Sequence, residues 1–320
     1  MPEFFVVGHH KCGTTALWEM LRRHPQIYMP EVKETWYFSS ELRPAKKRPP
    51  GARKRPLPVG RAETLEQYLA WFENARPDQR VGENSPAYLM STQAARRIAE
   101  AQPEARIIAI LREPASFLRS FHLQCLRNHS ETEKDFGKAI ALEDARREGK
   151  HIPRHSTRPH ELLYSNHVKY VQQLQSYEAV IPRERILVLI YEDFREDNDA
   201  TVREVLRFLE VDDSLPIELI EANPSFSIRS PQLNEMVRSV YMGRGPLSRR
   251  VKKGVRSITS TNMRHALLRV TRRRVLYGEP GRADERVMLE LRRRFKGEVV
   301  AISEHLDRDL VGRWRYDRLD

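Results

Sequence analysis

The run Phe4-Phe5-Val6-Val7 carries no polar residue and stops at Gly8. A short, continuously apolar run ended by glycine predicts a buried strand starting at residue 4. Behind it the period changes. Ala16, Leu17, Met20 and Leu21 recur at helical spacing over residues 14–24, until His24-Pro25 ends the segment. The same change recurs down the chain. Leu65, Tyr68, Leu69 and Phe72 mark a helix over 62–76. Residues 106–111 (Arg-Ile-Ile-Ala-Ile-Leu) and 185–191 (Arg-Ile-Leu-Val-Leu-Ile-Tyr) read as two further buried strands. Pro114 opens a helix to about residue 128, because proline is favoured in a first helical turn; residues 137–148, 161–180 and 199–209 read as further helices. Strands that are apolar along their whole length must be covered on both sides. The prediction is an α/β fold, a central parallel sheet flanked by helices on both faces. Ligands of such sheets bind beyond the carboxyl ends of the strands.

Two stretches interrupt this rhythm. Residues 41–61 are rich in Pro, Lys and Arg, a density of proline that forbids helix or central strand. They read as a basic surface loop, either a solvated linker or a lid that meets an acidic substrate. From Met236 to Gly278 there is no acidic residue, while Lys and Arg recur, most densely over 244–274. The whole chain of 320 residues has a net charge of +12 and is read as one domain. That charge calls for an anionic partner. Nucleic acid is disfavoured, because aromatic residues are thin in the basic segment and no recognised nucleic-acid motif occurs. Cys12 and Cys125 give no disulfide framework, and no Cys/His spacing suggests a metal. No signal peptide is evident, and no apolar run approaches the ~20 residues of a spanning helix, so the expected setting is cytoplasmic.

The loop behind the first strand, Gly8-His9-His10-Lys11-Cys12-Gly13-Thr14-Thr15, carries the most chemistry. Strand, glycine turn and helix start, in that order, make an anion site. Free backbone N–H groups and the positive end of the helix dipole meet there, and Lys11, Thr14 and Thr15 add a charge and two hydroxyls. The expected cargo is a phosphate. In the loop G-x-x-x-x-G-K-[ST] the lysine follows the second glycine; here it precedes it, which argues against an ATPase or GTPase. At the end of the strand 106–111, Arg112 offers a planar fork suited to a second phosphate. Ser120, two helical turns further on, can donate a hydroxyl.

These segments resemble the PAPS-dependent sulfotransferase family (PAPS is 3′-phosphoadenosine 5′-phosphosulfate). The first loop is similar to the family's 5′-phosphosulfate loop. Arg112-Glu113-Pro114 with Ser120 is similar to its 3′-phosphate motif, Glu113 standing where Asp is common. Val81-Gly82-Glu83-Asn84-Ser85-Pro86-Ala87-Tyr88-Leu89 resembles a Gly-Glu-Lys-[ST]-Pro-x-Tyr segment beside the acceptor pocket, with Asn84 in place of lysine. Pro30-Glu31-Val32-Lys33-Glu34-Thr35-Trp36-Tyr37-Phe38 resembles the Lys-Glu-x-x-[FY]-Phe segment of the heparan-sulfotransferase-like and bacterial branch. Tyr191-Glu192-Asp193-Phe194 is similar to a strand-end motif of the family. The helix through Leu289, Leu291, Phe295 and Val299 and the tail Asp309-Leu310-Val311-Gly312-Arg313-Trp314 are similar to its closing elements. The likeness runs from residue 4 to about residue 315.

The resemblance implies a P-loop-like architecture, PAPS as donor and PAP (3′-phosphoadenosine 5′-phosphate) as product, with no metal. It implies that Lys11 sits at the bridging oxygen and that Lys11, Cys12, Gly13, Thr14 and Thr15 hold the 5′-phosphate. Arg112 and Ser120 would hold the 3′-phosphate. Arg272, Arg273 and Arg274 would close a basic loop over the phosphates. Tyr191 would flank the adenine or be a plain buried strand-end tyrosine. Glu34 would be the catalytic base, its aromatic neighbours lowering the local dielectric; the rival bases are His9 and His10, and the bland alternative makes Lys33 and Glu34 ordinary surface charges. Lys33, Asn84, Ser85 and Tyr88 would line the acceptor side. The uncharged Asn84 and the lack of a membrane anchor favour a small-molecule hydroxyl over a glycan as acceptor. A non-catalytic nucleotide- or nucleic-acid-binding protein on the same fold is the third reading. No motif encodes the oligomeric state.

Overall fold

The computed structural model describes residues 1–43, 62–154, 156–218, 227–228, 277–278 and 283–319. Residues 44–61 of the basic loop and the segment 244–274, with Arg272, Arg273 and Arg274, lie outside the described residues. At the centre is a five-stranded sheet of β1 (Phe4–Gly8), β2 (Ile27–Tyr28), β3 (Arg80–Asn84), β4 (Arg106–Leu111) and β5 (Ile186–Ile190), in spatial order β2-β3-β1-β4-β5. Every neighbouring pair is parallel; Phe4 of β1 lies opposite Gly82 on one side and Arg106 on the other. All five residues of β1 are buried. Successive side chains of a strand alternate between faces, so both faces of the sheet are covered, as the apolar runs predict. A two-residue antiparallel pairing of β6 (Ser227–Ile228) with β7 (Tyr277–Gly278) stands apart from it.

β3 carries no apolar run, and the reason lies in its neighbours. Phe4 fills the space above Gly82; a Cβ there would stand 2.1 Å from Phe4 Cζ. The next two residues, Glu83 and Asn84, are buried with polar partners.

The helices are shorter than their periodicity suggests. α1 (Thr14–Leu21) stops before residue 24, where His24 N–H bonds Leu21 O at 3.1 Å and the His24 ring is held by Gln26 N–H and Asp212 O. α2 (Leu65–Leu69), capped by Thr64, passes into a 3-10 turn at Ala70–Phe72. α3 is Ala94–Ala101, and α4 spans Pro114–Asn128 as expected. The segment 137–148 is two helices, α5 (Phe136–Ala141) and α6 (Glu143–Arg147). The single helix expected over 161–180 is instead two 3-10 turns, Pro159–Leu162 and Tyr164–Val168, followed by α7 (Tyr170–Glu178). Leu163 (φ −90, ψ 79) and Lys169 (φ −79, ψ 60) leave the helical region and make the two breaks. Tyr191 opens α8 (Tyr191–Glu196) rather than closing a strand, and α9 (Asn198–Phe208) packs on α1, α8 and β5. α10 (Glu285–His305) lays Leu291, Phe295, Val299 and Ile302 against α4 and α7, and the short α11 (Leu310–Arg313) follows it. No helix among the described residues is long and apolar enough to cross a membrane.

Candidate active site

The carboxyl ends of β1, β3, β4 and β5 bring four loops together. The loop after β1 turns through left-handed backbone at Lys11 (φ 73) and Gly13 (φ 85) before α1 begins at Thr14. Gly13 is needed twice over: its φ is costly for other residues, and a Cβ there would lie 3.0 Å from Phe194 and 3.2 Å from Tyr191. Cys12 is fully buried, its thiol pushed up to about 12 by burial, so only its backbone is available to a ligand. Burial lowers the Lys11 ammonium to about 8, and the nearby charges of Arg127 and Arg112 add to the effect. No carboxylate pairs with Lys11 among the described residues.

Arg112, at the end of β4, reaches this loop. Its Nη1 donates to Lys11 O at 2.8 Å, and its guanidinium lies 4.4 Å above the Tyr191 ring. Its Nε is buried with no hydrogen-bond partner. The strand-end arginine, the loop lysine and the α8 tyrosine therefore form one contiguous surface. Ser120 is buried on α4 beyond it. Glu113 serves as the cap of α4: its carboxylate accepts from Ala115 N–H (3.1 Å) and Ser116 N–H (2.7 Å), which explains why a carboxylate is useful there. Tyr316 O–H donates to it at 2.6 Å, and Trp314 Nε1 donates to Glu192 at 3.0 Å, so the C-terminal tail buttresses this surface. Arg119 and Arg127 on α4 were not singled out by sequence reasoning. Burial, then Arg112, lowers the Arg119 guanidinium. The spacing of Arg127 from Ser120, seven residues along α4, is the signal that places it on the serine's face. Lys11 and Arg119, both lowered first by burial, share a partly dry site with Arg112 and Arg127, a gathering of positive charge that a multiply charged anion relieves.

The network beside this loop is built on Glu83. This buried carboxylate accepts from Thr35 Oγ1 (2.5 Å), Ser85 Oγ (2.6 Å) and Tyr88 O–H (2.8 Å), and from Tyr68 O–H. Burial raises its pKa, and the four hydroxyls oppose that rise. Ser85 Oγ also accepts Thr35 N–H at 3.1 Å, and Tyr88 O–H accepts Phe38 N–H at 3.3 Å. Asn84 Nδ2 donates to Thr14 O at 2.7 Å. Asn84, Ser85 and Tyr88 are all buried, and their hydrogen bonds hold the chain that carries Glu34 and the start of α1. Lys33 turns toward α1. Its Nζ donates to Thr15 Oγ1 at 2.8 Å, on the donor loop.

Glu34 has left-handed backbone (φ 56), and its N–H donates to Asn84 O at 2.9 Å. Its carboxylate is 41% exposed, not enclosed by aromatics, and stands 3.6 Å from His10 Nδ1. Trp36, the next left-handed residue, faces His10 and carries Arg158 4.9 Å above its ring. Tyr37 and Phe38 turn inward instead, Tyr37 stacking on Tyr68. His9 is buried, its Nε2 3.0 Å from Gln173 Oε1, and burial lowers its pKa to about 4; it is removed as a rival base, whereas His10 stays beside Glu34. A narrow pocket next to the pair is walled by Trp36, Pro86, Met90, His160 and Glu161.

A family model described as the sulfotransferase family matches residues 2–214. The chain belongs to the sulfotransferase family. A solved sulfotransferase from Alicyclobacillus acidocaldarius superposes on 98% of the chain and 99% of its own length, with a TM-score of 0.66 and 25% identity. Among curated sulfotransferases, the membrane-associated sulfotransferase kil1 of Dictyostelium discoideum is 31% identical over 117 residues, which are 36% of this chain and 21% of that protein. Mouse heparan sulfate glucosamine 3-O-sulfotransferase 5 is 26% identical over 138 residues, 43% of this chain and 35% of its own length. The matched parts thus span about a fifth and about a third of those two relatives.

Proposed function

We propose that this sulfotransferase-family chain moves a sulfuryl group from PAPS to a hydroxyl of a small-molecule acceptor. The observation that carries the donor half is the Arg112–Lys11 contact, which unites the two cation-bearing strand ends with Tyr191 in one cradle. The residues fit a doubly phosphorylated adenosine: Arg112 Nε is buried with no hydrogen-bond partner among the described residues, and the cations Lys11, Arg112, Arg119 and Arg127 gather at the loop. PAPS, when bound, supplies a sulfuryl group whose departure leaves charge on the 5′-phosphate. Lys11 and the N–H groups at the start of α1 would stabilise that charge, a preorganised donor being worth about 3 kcal/mol. Cys12 through Thr15 would hold the 5′-phosphate, Arg112 and Ser120 the 3′-phosphate. Tyr191 would flank the adenine, and Arg272, Arg273 and Arg274 are assigned to the same phosphates from sequence alone. Glu34 would take the acceptor proton. A glycan acceptor is the second reading, favoured by the names of relatives such as mouse carbohydrate sulfotransferase 15, 23% identical over 277 residues.

The test joins nucleotide binding to transfer of labelled sulfate across phenols, alcohols, amino sugars and oligosaccharides. PAP should stabilise the protein more than ATP or GTP, and Lys11→Ala should remove most of that effect. Glu34→Gln should keep PAP binding and lose about 10²–10⁴-fold in turnover. No preference for PAP would overturn the donor assignment; full turnover by Glu34→Gln would overturn the base.

A further inference from the structure

Lys33 and Glu34 are adjacent in sequence but reach opposite sides of the site. The left-handed backbone at Glu34 and the anchoring of Thr35 on Glu83 make them diverge. Lys33 Nζ ends 2.8 Å from Thr15 Oγ1 and 4.8 Å from the centre of the Trp18 ring, both on α1. An ammonium has no lone pair, so it must donate and the Thr15 oxygen must accept. Thr15 Oγ1 has no other hydrogen bond among the described residues. Among the described residues nothing accepts the hydroxyl proton, which leaves it available to a ligand. Lys33 makes no ion pair with a carboxylate among the described residues, and burial outweighs the pull of Glu34 and Glu19 to lower its pKa.

We propose that Lys33 is a donor-side positioning residue: by occupying the Thr15 oxygen it turns the Thr15 hydroxyl proton, together with its own charge, toward the phosphosulfate bound at the start of α1. This rests on the donor-loop assignment above. It differs from an acceptor role for Lys33 in which ligand should suffer when the charge is lost.

The experiment measures PAP affinity by calorimetry, and KM for PAPS and for acceptor separately, in Lys33→Met, Thr15→Val, Thr15→Ser and the double variant Lys33→Met/Thr15→Val. A charge-assisted contact of this kind predicts about tenfold to hundredfold weaker PAP binding and higher KM for PAPS in Lys33→Met, with acceptor KM unchanged. Thr15→Ser keeps the hydroxyl and should bind as the parent does; Thr15→Val should not. The double variant should be little worse than either single one, because both remove the same contact. A raised acceptor KM with unchanged PAP affinity in Lys33→Met, or additive losses in the double variant, would overturn the proposal. Lys11→Ala separates the two levels: if it too leaves PAP binding intact, the donor-loop assignment fails; if it alone weakens binding, only the role of Lys33 fails.

Discussion

Tyr88→Phe removes a single oxygen from the network under Glu34 and leaves the ring in place. That oxygen donates to Glu83 at 2.8 Å, accepts Tyr37 N–H at 3.1 Å and Phe38 N–H at 3.3 Å, and lies 2.8 Å from Thr35 Oγ1. After substitution Tyr37 N–H keeps Thr35 Oγ1 at 3.3 Å, but Phe38 N–H is left buried without its acceptor. The hydrogen bond to the carboxylate contributes about 1.5–3 kcal/mol and the orphaned N–H costs about 1–3 kcal/mol. No cavity forms, so the loss should be about 3–5 kcal/mol, a large share of the roughly 5–15 kcal/mol by which domains are stable. Thr35 is the residue after Glu34. Relaxation of the network therefore displaces the carboxylate, and about 1 Å of misplacement costs up to about 100-fold in rate. Urea unfolding, read together with steady-state turnover and PAP affinity, tests this. The expected result is a lower midpoint at unchanged m-value, a fall of about tenfold to hundredfold in kcat, and PAP affinity kept. Tyr177→Phe is the control, because Tyr177 O–H is equally buried but donates only to Tyr88 O at 2.9 Å; it should cost about 1 kcal/mol and leave kcat alone. A Tyr88→Phe protein less than about 1 kcal/mol destabilised, or destabilised with normal kcat, would refute the positioning of Glu34 by this network.

Two predictions concern the core around the site. His9 has a folded pKa of about 4 against an ordinary 6.5, so below about pH 6.5 the unfolded chain binds a proton that the native one refuses, and stability falls as pH drops toward 4. Its share of the loss between pH 7 and 5 is roughly 2 kcal/mol; His9→Asn should flatten the pH–stability curve by about that amount, and parallel curves would rule it out. Glu131 and Arg146 form an ion pair at 2.8 Å with both side chains almost fully buried, so Glu131→Gln should cost about 3–5 kcal/mol by urea unfolding, and a loss under about 1 kcal/mol would contradict the pairing.

The parts of the fold legible in the sequence are those where burial is uniform. β1 and β5 are apolar from end to end, β4 is so after Arg106, and α4 has proline at its first position; β1, β4 and α4 fall where the pattern puts them, and β5 is one residue shorter at each end. β3 shows why the rest was hidden. Its buried residues are Gly82, Glu83 and Asn84, inside because Phe4 covers the glycine, four hydroxyls neutralise the carboxylate and Thr14 O takes the amide. Hydrophobic periodicity cannot register a strand buried through hydrogen bonds. The same division runs through the site. Lys11 and Arg112 each announce themselves by sitting just past an apolar strand, and parallel packing of β1 against β4 makes their meeting a consequence of topology. Lys33 carries no such mark. Its meeting with Thr15 depends on two left-handed residues, Glu34 and Trp36, neither of them glycine, and on a carboxylate 49 positions beyond Glu34 that holds the turn between them. Local propensity opposes that backbone. Only the hydroxyls converging on Glu83 outweigh it, so the divergence of donor-side and acceptor-side groups follows from the tertiary hydrogen bonds and from nothing within residues 30–38.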